Sequence, residues 1–277
     1  MIDRAVAVGA RVVRVDAVGS AGTRIDLEVS SAFPVPRAGQ FVQVECNDAG
    51  VFRLRRPFSI CHWWSGPSGS ELGILFSIVG EGSGWLAARR PGDRVEICGP
   101  LGTPFRSIPG RAPVLVGGGR GVAPLLLFAD QIAETVPDGV LLYGARDAAA
   151  VFPTEGCPFP VYRATLDGSV GHEGTAIDLL DAMLRQGAIR EESSVLFGCG
   201  PLAMLRALSG RASSRGVPLQ VSVETVFGCG TGICAGCAIP ILACEGEPDD
   251  PFHRYALACT DGPVFDAMRI DWNGVRE

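Results

Sequence analysis

Residues 114–124 read VLVGGGRGVAP, and this stretch indicates how the second half of the chain folds. A short apolar run that ends in three glycines and continues into a second apolar run is typical of a strand, a tight turn and a helix. Glycines at such a turn let a phosphate approach the backbone, where the start of the following helix favours negative charge. The stretch lacks the G-x-G-x-x-G spacing of dinucleotide sites, so a turn without any ligand is the simpler alternative.

The same alternation of strand and helix extends from residue 109 to residue 222. Strand candidates cover 114–117, 140–143, 160–164, 195–197 and 219–223, and helix candidates cover 122–135, 176–186 and 202–213. This alternation predicts a doubly wound parallel sheet that binds its ligand at the carboxyl ends of the strands. We therefore expect an α/β dinucleotide-binding domain over residues 109–222.

The region before residue 109 has a different rhythm. Six short β-rich runs within residues 11–98 are separated by Gly, Pro and Ser clusters, which is typical of a barrel or sandwich. Of the two, we expect an antiparallel β-barrel over residues 1–108. Two segments of this region could hold a phosphate, RRPFS at 55–59 and GEGSGWL at 80–86, the second being a turn that can start a helix. The first segment is weak evidence alone, because an exposed arginine before a strand needs no ligand.

Four cysteines near the C-terminus follow the spacing C-x4-C-x2-C with a distant fourth cysteine, which is the plant-type [2Fe–2S] arrangement. The alternative is a four-cysteine zinc site, which favours two short C-x2–4-C pairs. Glycines in the loop leave backbone N–H groups free to face the sulfurs. A module over 223–277 is too short to fold readily without its metal. The predicted ligands are Cys229, Cys234, Cys237 and Cys259.

Composition narrows the range of partners. The chain has 277 residues, a hydrophobic fraction of 47%, a charged fraction of 19% and a net charge of −6, which describes an ordinary globular protein and argues against nucleic acid as a partner. No apolar run is long enough to cross a bilayer, so we expect a cytoplasmic protein without integral membrane contact. We expect most of the other six cysteines to be buried apolar residues; they are Cys46, Cys61, Cys98, Cys157, Cys199 and Cys244.

Taken together, the motifs resemble the ferredoxin–NADP reductase superfamily, in which an R-P-[FYI]-[ST] strand and a G-x-G-[ST] helix start hold FAD. The resemblance implies FAD contacts at Arg56, Pro57, Phe58, Ser59, Leu75, Phe76, Ser77, Gly82 and Ser83. The stretch at 117–124 is similar to the G-G-G-x-G-x-A-P nicotinamide loop of the superfamily, and the stretch at 199–204 is similar to its C-G-P-x-x-M segment. These imply NAD(H) contacts at Gly117, Gly118, Gly119, Gly121, Gly198, Cys199, Gly200 and Pro201.

Several residues in these motifs have more than one interpretation. In the resemblance Cys199 positions the nicotinamide ring and is not a nucleophile, although a buried structural thiol is the competing view. Arg120 stands where the superfamily pattern has a small or apolar residue, and it could touch a phosphate or face solvent. Arg146 would favour NADP if it met a 2′-phosphate, and NAD is expected on resemblance. The loop at 165–174 matches the superfamily pattern T-x-D-G-S-x-G-x-x-G, and its His172 lacks the carboxylate partner of an acid–base site.

The pattern E-x4-C-G-x-G-x-C-x-G-C from Glu224 and the pattern C-x-D-G-P-V-F at 259–265 narrow the resemblance further. They are similar to the electron-transfer subunits of class 1B dihydroorotate dehydrogenases. The resemblance implies a path between NAD+ and a flavin-containing catalytic subunit that oxidises dihydroorotate, through FAD and the cluster, in pyrimidine biosynthesis, with two copies of each subunit. One alternative is an NAD(P)H-dependent flavin and iron–sulfur reductase subunit that serves ferredoxin or another oxidoreductase. The other is a non-catalytic binding protein whose C-terminal segment is held together by zinc.

Overall fold

The computed structural model describes residues 5–19, 22–47, 54–66, 69–136, 138–243 and 254–275, so Cys244 lies outside the described residues. The N-terminal strands are β1 (Val6–Val18), β2 (Gly22–Val29), β3 (Phe41–Val44), β4 (Arg56–Gly66), β5 (Gly69–Ser77) and β6 (Arg94–Leu101). They close into an antiparallel barrel in the order β1-β2-β5-β4-β3-β6, with a short helix α1 (Glu81–Ala87) between β5 and β6. Closure leaves the sheet without an open edge.

The barrel also buries one charged side chain, Asp26 on β2. Asp26 is 1% exposed and accepts hydrogen bonds from Arg14 Nε and Nη2 at 2.9 and 2.6 Å and from Arg24 Nε at 2.9 Å. A buried carboxylate is tolerated when charged donors compensate for its lost hydration. Arg14 therefore ties β1 to β2 through this carboxylate, and Arg24 pairs with it from within β2.

Replacing Asp26 by Asn is expected to lower the free energy of unfolding by about 2 kcal/mol, because the arginines lose the charge that pairs with them. The loss is limited because both arginines keep contact with water. Urea unfolding followed by circular dichroism measures it. Asp16 also lies near Arg14, at 3.1 Å, but its side chain is about half exposed, so Asp16→Asn is the control and should be nearly neutral. Equal losses in the two variants would contradict this account of Asp26.

The second region is an α/β sheet with helices on both faces. Its elements are β7 (Ala112–Gly118), α2 (Val122–Ile132), β8 (Val140–Ala145), β9 (Val161–Thr165), β10 (His172–Glu173), α3 (Ala176–Arg185), β11 (Ser194–Cys199), α4 (Leu202–Arg215) and β12 (Leu219–Ser222). The six strands are parallel, in the order β10-β9-β8-β7-β11-β12. Side chains of α2 share a core with the barrel, whereas α3 and α4 pack into a separate core. The predicted barrel and doubly wound sheet are confirmed.

The C-terminal region is built onto both of the others. It contains β13 (Ala238–Pro240) and β14 (Tyr255–Leu257), which form an antiparallel pair, and β15 (Val264–Asp266), which pairs antiparallel with β12 and extends the α/β sheet. Cys237 and Cys259 pack against Phe41 and Leu101 of the barrel. The division at residues 108 and 222 stays a sequence prediction, since β15 follows residue 222 and yet belongs to the larger sheet. None of the helices in the described residues is long and apolar enough to cross a membrane.

Candidate redox-cofactor sites

A cavity of about 910 Å³ lies where the barrel, the α/β sheet and the C-terminal region meet. This volume is within the usual range for a cofactor site, about 300–1,000 Å³. Its barrel wall is formed by the end of β5, the start of β4 and the turn into α1. It is lined by every residue predicted to contact FAD, namely Arg56, Pro57, Phe58, Ser59, Leu75, Phe76, Ser77, Gly82 and Ser83.

The turn into α1 is shaped by a serine and a glycine. Ser83 Oγ accepts hydrogen bonds from the backbone N–H groups of Val79 and Gly80 at 2.9 and 3.1 Å, which satisfies the donors that precede the helix. A Cβ on Gly82 would lie 3.3 Å from Cγ of Arg56 and 3.3 Å from Cβ of Cys46. Glycine at this position therefore lets the turn pack closely against the base of the Arg56 side chain, so that both reach the same cavity.

A second cavity of about 580 Å³ lies at the carboxyl ends of the parallel strands. This is the edge at which open α/β sheets bind their ligands. Of the predicted NAD(H) contacts, Gly118, Gly119, Gly121, Gly200 and Pro201 line this cavity, and Cys199 lines the larger one. Gly117 and Gly198 line neither cavity; each is buried one residue before the end of its strand, β7 or β11.

The barrel supplies part of the second cavity, which the sequence motifs did not indicate. Val18, Gly19 and Gly22, from the turn between β1 and β2, line its wall. No local sequence signal marks these residues, since they reach the cavity only through the packing of the barrel against the sheet. The glycine turn at 117–121 therefore forms only one side of this site.

The turn after β7 fits tightly against the end of β11. A Cβ on Gly121 would lie 2.1 Å from the carbonyl oxygen of Cys199, which is far inside van der Waals contact. Gly121 has an ordinary helical φ of −61°, so the requirement for glycine here is steric and not conformational. The two strand ends that line the cavity thus meet at this glycine.

Replacing Gly121 by Ala is expected to weaken NADH binding by about tenfold or more, because relieving such an overlap shifts backbone at a cost of about 1–3 kcal/mol. Titration of the purified protein with NADH, followed by calorimetry, measures the affinity. Gly210, within α4, has open space around its Cα, so Gly210→Ala is the matched control and should raise stability without changing NADH affinity. Unchanged affinity in the Gly121 variant would contradict this prediction.

The two cavities share a wall made by Ser77, Arg120 and Glu224. Arg120 Nη2 lies 3.6 Å from Glu224 Oε2, so the arginine that departs from the superfamily pattern pairs with the residue that precedes the cysteine loop. No sequence motif indicates this pair, because its members are about a hundred residues apart. The pair links the turn after β7 to the segment after β12.

Cys199 lies beside this shared wall and is 2% exposed. Burial raises the pKa of its thiol well above the ordinary value, and the charge of Glu224 raises it further, against a hydrogen bond with Ser222 that lowers it. The side chain is therefore a neutral thiol at physiological pH and lacks the thiolate that a nucleophile requires. It presents a small, uncharged surface to the larger cavity.

The loop at 228–237 is arranged around sulfur. The N–H groups of Thr231 and Cys234 each donate to Cys229 Sγ at 3.4 Å, and the N–H of Gly236 donates to Cys234 Sγ at 3.5 Å. The two donors lower the pKa of Cys229 to about 6. The backbone turns through positive φ at Gly230, with φ of 72°, and at Ala235, with φ of 54°. The loop thus favours a thiolate at Cys229.

The fourth cysteine, Cys259, reaches this loop from the chain that follows β14. Burial, followed by its contact with Cys237, raises the pKa of its thiol to about 12. A bound metal would supply the positive charge that ionises such a thiol. Within the described ranges, no three His, Cys, Asp or Glu side chains are placed to hold a single metal ion. The cluster is instead indicated by the spacing of the four cysteines, by their thiol groups and by the N–H groups that face their sulfurs.

A family model described as the iron–sulfur cluster binding domain of dihydroorotate dehydrogenase B matches residues 224–271. This range begins at Glu224, at the shared wall, and includes all four predicted ligands. The match therefore covers the whole cysteine segment together with β15, the strand that joins it to the sheet.

Comparison with known proteins extends the likeness to most of the chain. A Desulforamulus reducens protein called dihydroorotate dehydrogenase B (NAD(+)), electron transfer subunit, is 35% identical over 239 residues, which cover 84% of this chain and 86% of that protein. A protein of the same name from Geobacillus thermodenitrificans is 38% identical over 238 residues, with coverage of 84% and 86%.

Solved structures show the same fold at lower identity. An NADH-dependent reduced ferredoxin–NADP oxidoreductase superposes with a TM-score of 0.79 at 24% identity, covering 95% of this chain and 90% of that one. The ferredoxin reductase of carbazole 1,9a-dioxygenase gives a TM-score of 0.67 at 23% identity, covering 78% and 69%. These structures share the fold, and the sequence relatives show that the chain belongs to the family of dihydroorotate dehydrogenase B (NAD+) electron transfer subunits.

Proposed function

We propose that this chain carries electrons between a dihydroorotate-oxidising catalytic subunit and NAD+ through a [2Fe–2S] cluster and FAD. The observation that carries the proposal is the continuity of the three sites. The larger cavity shares Ser77, Arg120 and Glu224 with the strand-end cavity, and residues 225–228, which lead into the cysteine loop, also line it. Electron transfer requires the cofactors to lie close together, and the protein holds these adjoining sites in place.

The larger cavity is the proposed FAD site. FAD, when bound, exchanges a hydride with a nicotinamide and passes electrons singly to a cluster. The guanidinium of Arg56 offers a charged donor to the pyrophosphate, with Gly82 and Ser83 beside it. Ser59 and the end of β5, at Leu75, Phe76 and Ser77, line the part of the cavity proposed for the flavin ring. The largely apolar wall excludes water from that ring.

The strand-end cavity is the proposed NAD(H) site. Gly118, Gly119 and Gly121 allow a dinucleotide to approach the backbone, and Cys199 marks the wall where the nicotinamide ring would meet the flavin. Arg146 lines this cavity, with its Nε 2.7 Å from Asp147 Oδ2. A 2′-phosphate would have to approach that carboxylate as well, which favours NAD over NADP.

Cys229, Cys234, Cys237 and Cys259 are the proposed cluster ligands. Cys237 and Cys259 are buried against the barrel, whereas Cys234 is exposed. The cluster would therefore lie at the boundary between the core and the surface. From that position it can receive electrons from outside the chain and pass them inward toward the larger cavity.

The exposed side of the cysteine loop is the proposed docking surface for the catalytic subunit. Ile233 is 87% exposed and Val226 is 78% exposed, and both flank the cysteines. Exposed apolar side chains beside a functional site are typical of a protein–protein interface. We propose a partner that contains its own flavin, an assembly with two copies of each subunit, and a cytoplasmic location.

Replacing Ile233 by Glu is expected to weaken association with the catalytic subunit by about tenfold or more, since a charge would be buried in an apolar interface. Calorimetry with the purified catalytic subunit measures the change. Tyr162 on β9 is 46% exposed on a strand remote from the cysteine loop, so Tyr162→Glu is the control. Equal affinities for the Ile233 variant and the parent would place the interface elsewhere.

The visible absorption spectrum of the anaerobically purified protein, before and after NADH, tests the proposed function. Flavin peaks with a broad red-brown cluster band, both bleached by NADH, are expected. The same bleaching by dihydroorotate must then require the catalytic subunit. A colourless protein that contains zinc would contradict the proposal. Bleaching by NADH with no response to dihydroorotate and the catalytic subunit would indicate a reductase that serves another acceptor.

A further inference from the structure

Gln43 lies on β3, a strand whose four side chains are all buried. Val42 and Val44 belong to the barrel core, whereas Phe41 packs against Cys237 and Cys259. Side chains alternate between the two faces of a strand, so Gln43 shares the face of Phe41. Its carboxamide is therefore directed out of the barrel and toward the cysteine segment.

This carboxamide has no hydrogen-bond partner in the part of the chain that the structure describes. Gln43 is 1% exposed, and neither its Nε2 nor its Oε1 is paired. Burying an unpaired amide is unfavourable, so each such group calls for an explanation. Gln40, three residues earlier, shows the usual arrangement, because its Nε2 donates to the Gly102 carbonyl at 3.0 Å and its Oε1 accepts from the Arg37 N–H at 2.8 Å.

The carboxamide lies directly against the cysteine loop. Gly230 follows Cys229 with a φ of +72°, and a Cβ at Gly230 would lie 2.2 Å from Gln43 Nε2. Glycine here therefore satisfies both the backbone turn and the close approach of the amide. In the β3–β4 ladder Gln43 is opposite Pro57, which lines the larger cavity. Gln43 thus connects the wall of the proposed FAD site to the proposed cluster site.

We propose that Gln43 is a positioning residue of the cluster: its Nε2–H group donates a hydrogen bond to a sulfide of the bound cluster and so raises the reduction potential of the cluster. The inference rests on the proposed function, since it requires the cluster to be bound in this loop. The fit is chemical as well as geometric. Cluster sulfurs accept N–H hydrogen bonds, and such bonds favour the more negative, reduced state. The contact would also satisfy the buried amide.

The test is an anaerobic redox titration of the full-length, cluster-loaded protein, followed by electron paramagnetic resonance. Gln43→Met keeps the length of the side chain and removes the donor. The equilibrium constant for cluster reduction is expected to fall about tenfold, which is about 59 mV for a one-electron couple. Gln43→Glu, which places a carboxylate at the same point, should lower the potential at least as far. The flavin couple, measured in the same samples, should not move.

Gln40→Met is the matched control, because it removes a buried carboxamide that already has partners. It is expected to reduce stability and to leave the cluster potential unchanged. A Gln43→Met protein with the potential and the paramagnetic resonance spectrum of the parent would overturn the inference. A Gln43→Met protein that keeps its flavin and fold but cannot retain the cluster would support it, provided that Gln40→Met retains its cluster. If Gln43→Met does not fold, the titration of Gln43→Glu decides by the same criterion.

Failure of the proposed function would look different. A parent protein that binds flavin but gives no paramagnetic signal on reduction would contain no cluster, and both proposals would fall. A parent protein with a normal cluster signal, combined with an unresponsive Gln43→Met variant, would remove only the role of Gln43. The parent sample in the same titration therefore distinguishes the two cases.

Discussion

Cys234→Ala is expected to lose the iron–sulfur cluster and to retain FAD. Cys234 is exposed, so its loss removes a ligand without opening a cavity in the core. Removing a residue that only hydrogen-bonds to a metal ligand typically lowers metal affinity or activity by about 10–100-fold. Removing a ligand itself should lower them further. Electron transfer from dihydroorotate and the catalytic subunit to NAD+ should therefore fall by about 100-fold or more. Oxidation of NADH by a small artificial acceptor, which needs only the flavin, should continue.

Iron and labile-sulfide assays and the visible spectrum measure the cluster content. The rate of electron transfer from dihydroorotate to NAD+ and the rate of NADH oxidation by the artificial acceptor are measured on the same samples. Cys157→Ala is the control, because Cys157 is a partly buried free thiol outside the cysteine segment. It should keep the cluster and both rates. A Cys234→Ala protein with full iron content and an unchanged dihydroorotate rate would exclude Cys234 as a required ligand. Loss of both rates together would mean that the cluster is needed for the flavin site to form.

Arg56→Ala is expected to raise the dissociation constant for FAD by about 10–100-fold, the equivalent of a charge-assisted hydrogen bond of about 1.5–3 kcal/mol. Arg56 opens β4 and lines the larger cavity, in contact distance of the turn at Gly82. Without its guanidinium, the proposed pyrophosphate site loses a charged donor. The protein should therefore purify with little flavin and recover its yellow colour when FAD is added in excess.

Fluorescence titration of the flavin-free protein with FAD gives the two constants. The neighbouring Arg55 does not line the cavity and lies 3.4 Å from Glu45, so Arg55→Ala is a control of equal charge. It should bind FAD as the parent does. An equal loss in both variants would mean that general positive charge, and not the position of Arg56, holds the pyrophosphate.

The sequence predicted most of the motifs, strands and helices, but few of the tertiary contacts between them. The cysteine spacing, the RPFS strand and the glycine turn at 117–121 could be identified because each motif is local and its chemistry fixes residue type and separation. In the α/β region the bounds of the predicted strands and helices agreed with the structure to within three residues for the same reason, since hydrophobic periodicity is also a local signal. The assignment of Arg56 and Ser83 to one cavity followed from resemblance, and the structure places both on its wall.

The features that the sequence could not supply all depend on tertiary packing. The pair of Arg120 and Glu224 brings together residues distant in the chain, and Val18 reaches the strand-end cavity only because the barrel packs on the sheet. Gln43 reads as an ordinary strand residue until the strand's outer face is seen to be covered by the cysteine loop. Periodicity assigns a side chain to a face, but it does not say what lies opposite.

The pairing of β15 with β12 gives the metal centre an influence over the lifetime of the whole chain. β15 follows Cys259 by only a few residues, so the fourth proposed cluster ligand and the strand at the sheet edge form one short segment. We expect a chain that has lost its iron to hold this segment less firmly, and an uncovered sheet edge is a site for proteolysis or for pairing with other chains. Iron scarcity would then reduce the number of subunits in the cell as well as the activity of each one. Cofactor supply would in this way set protein abundance without a dedicated sensor.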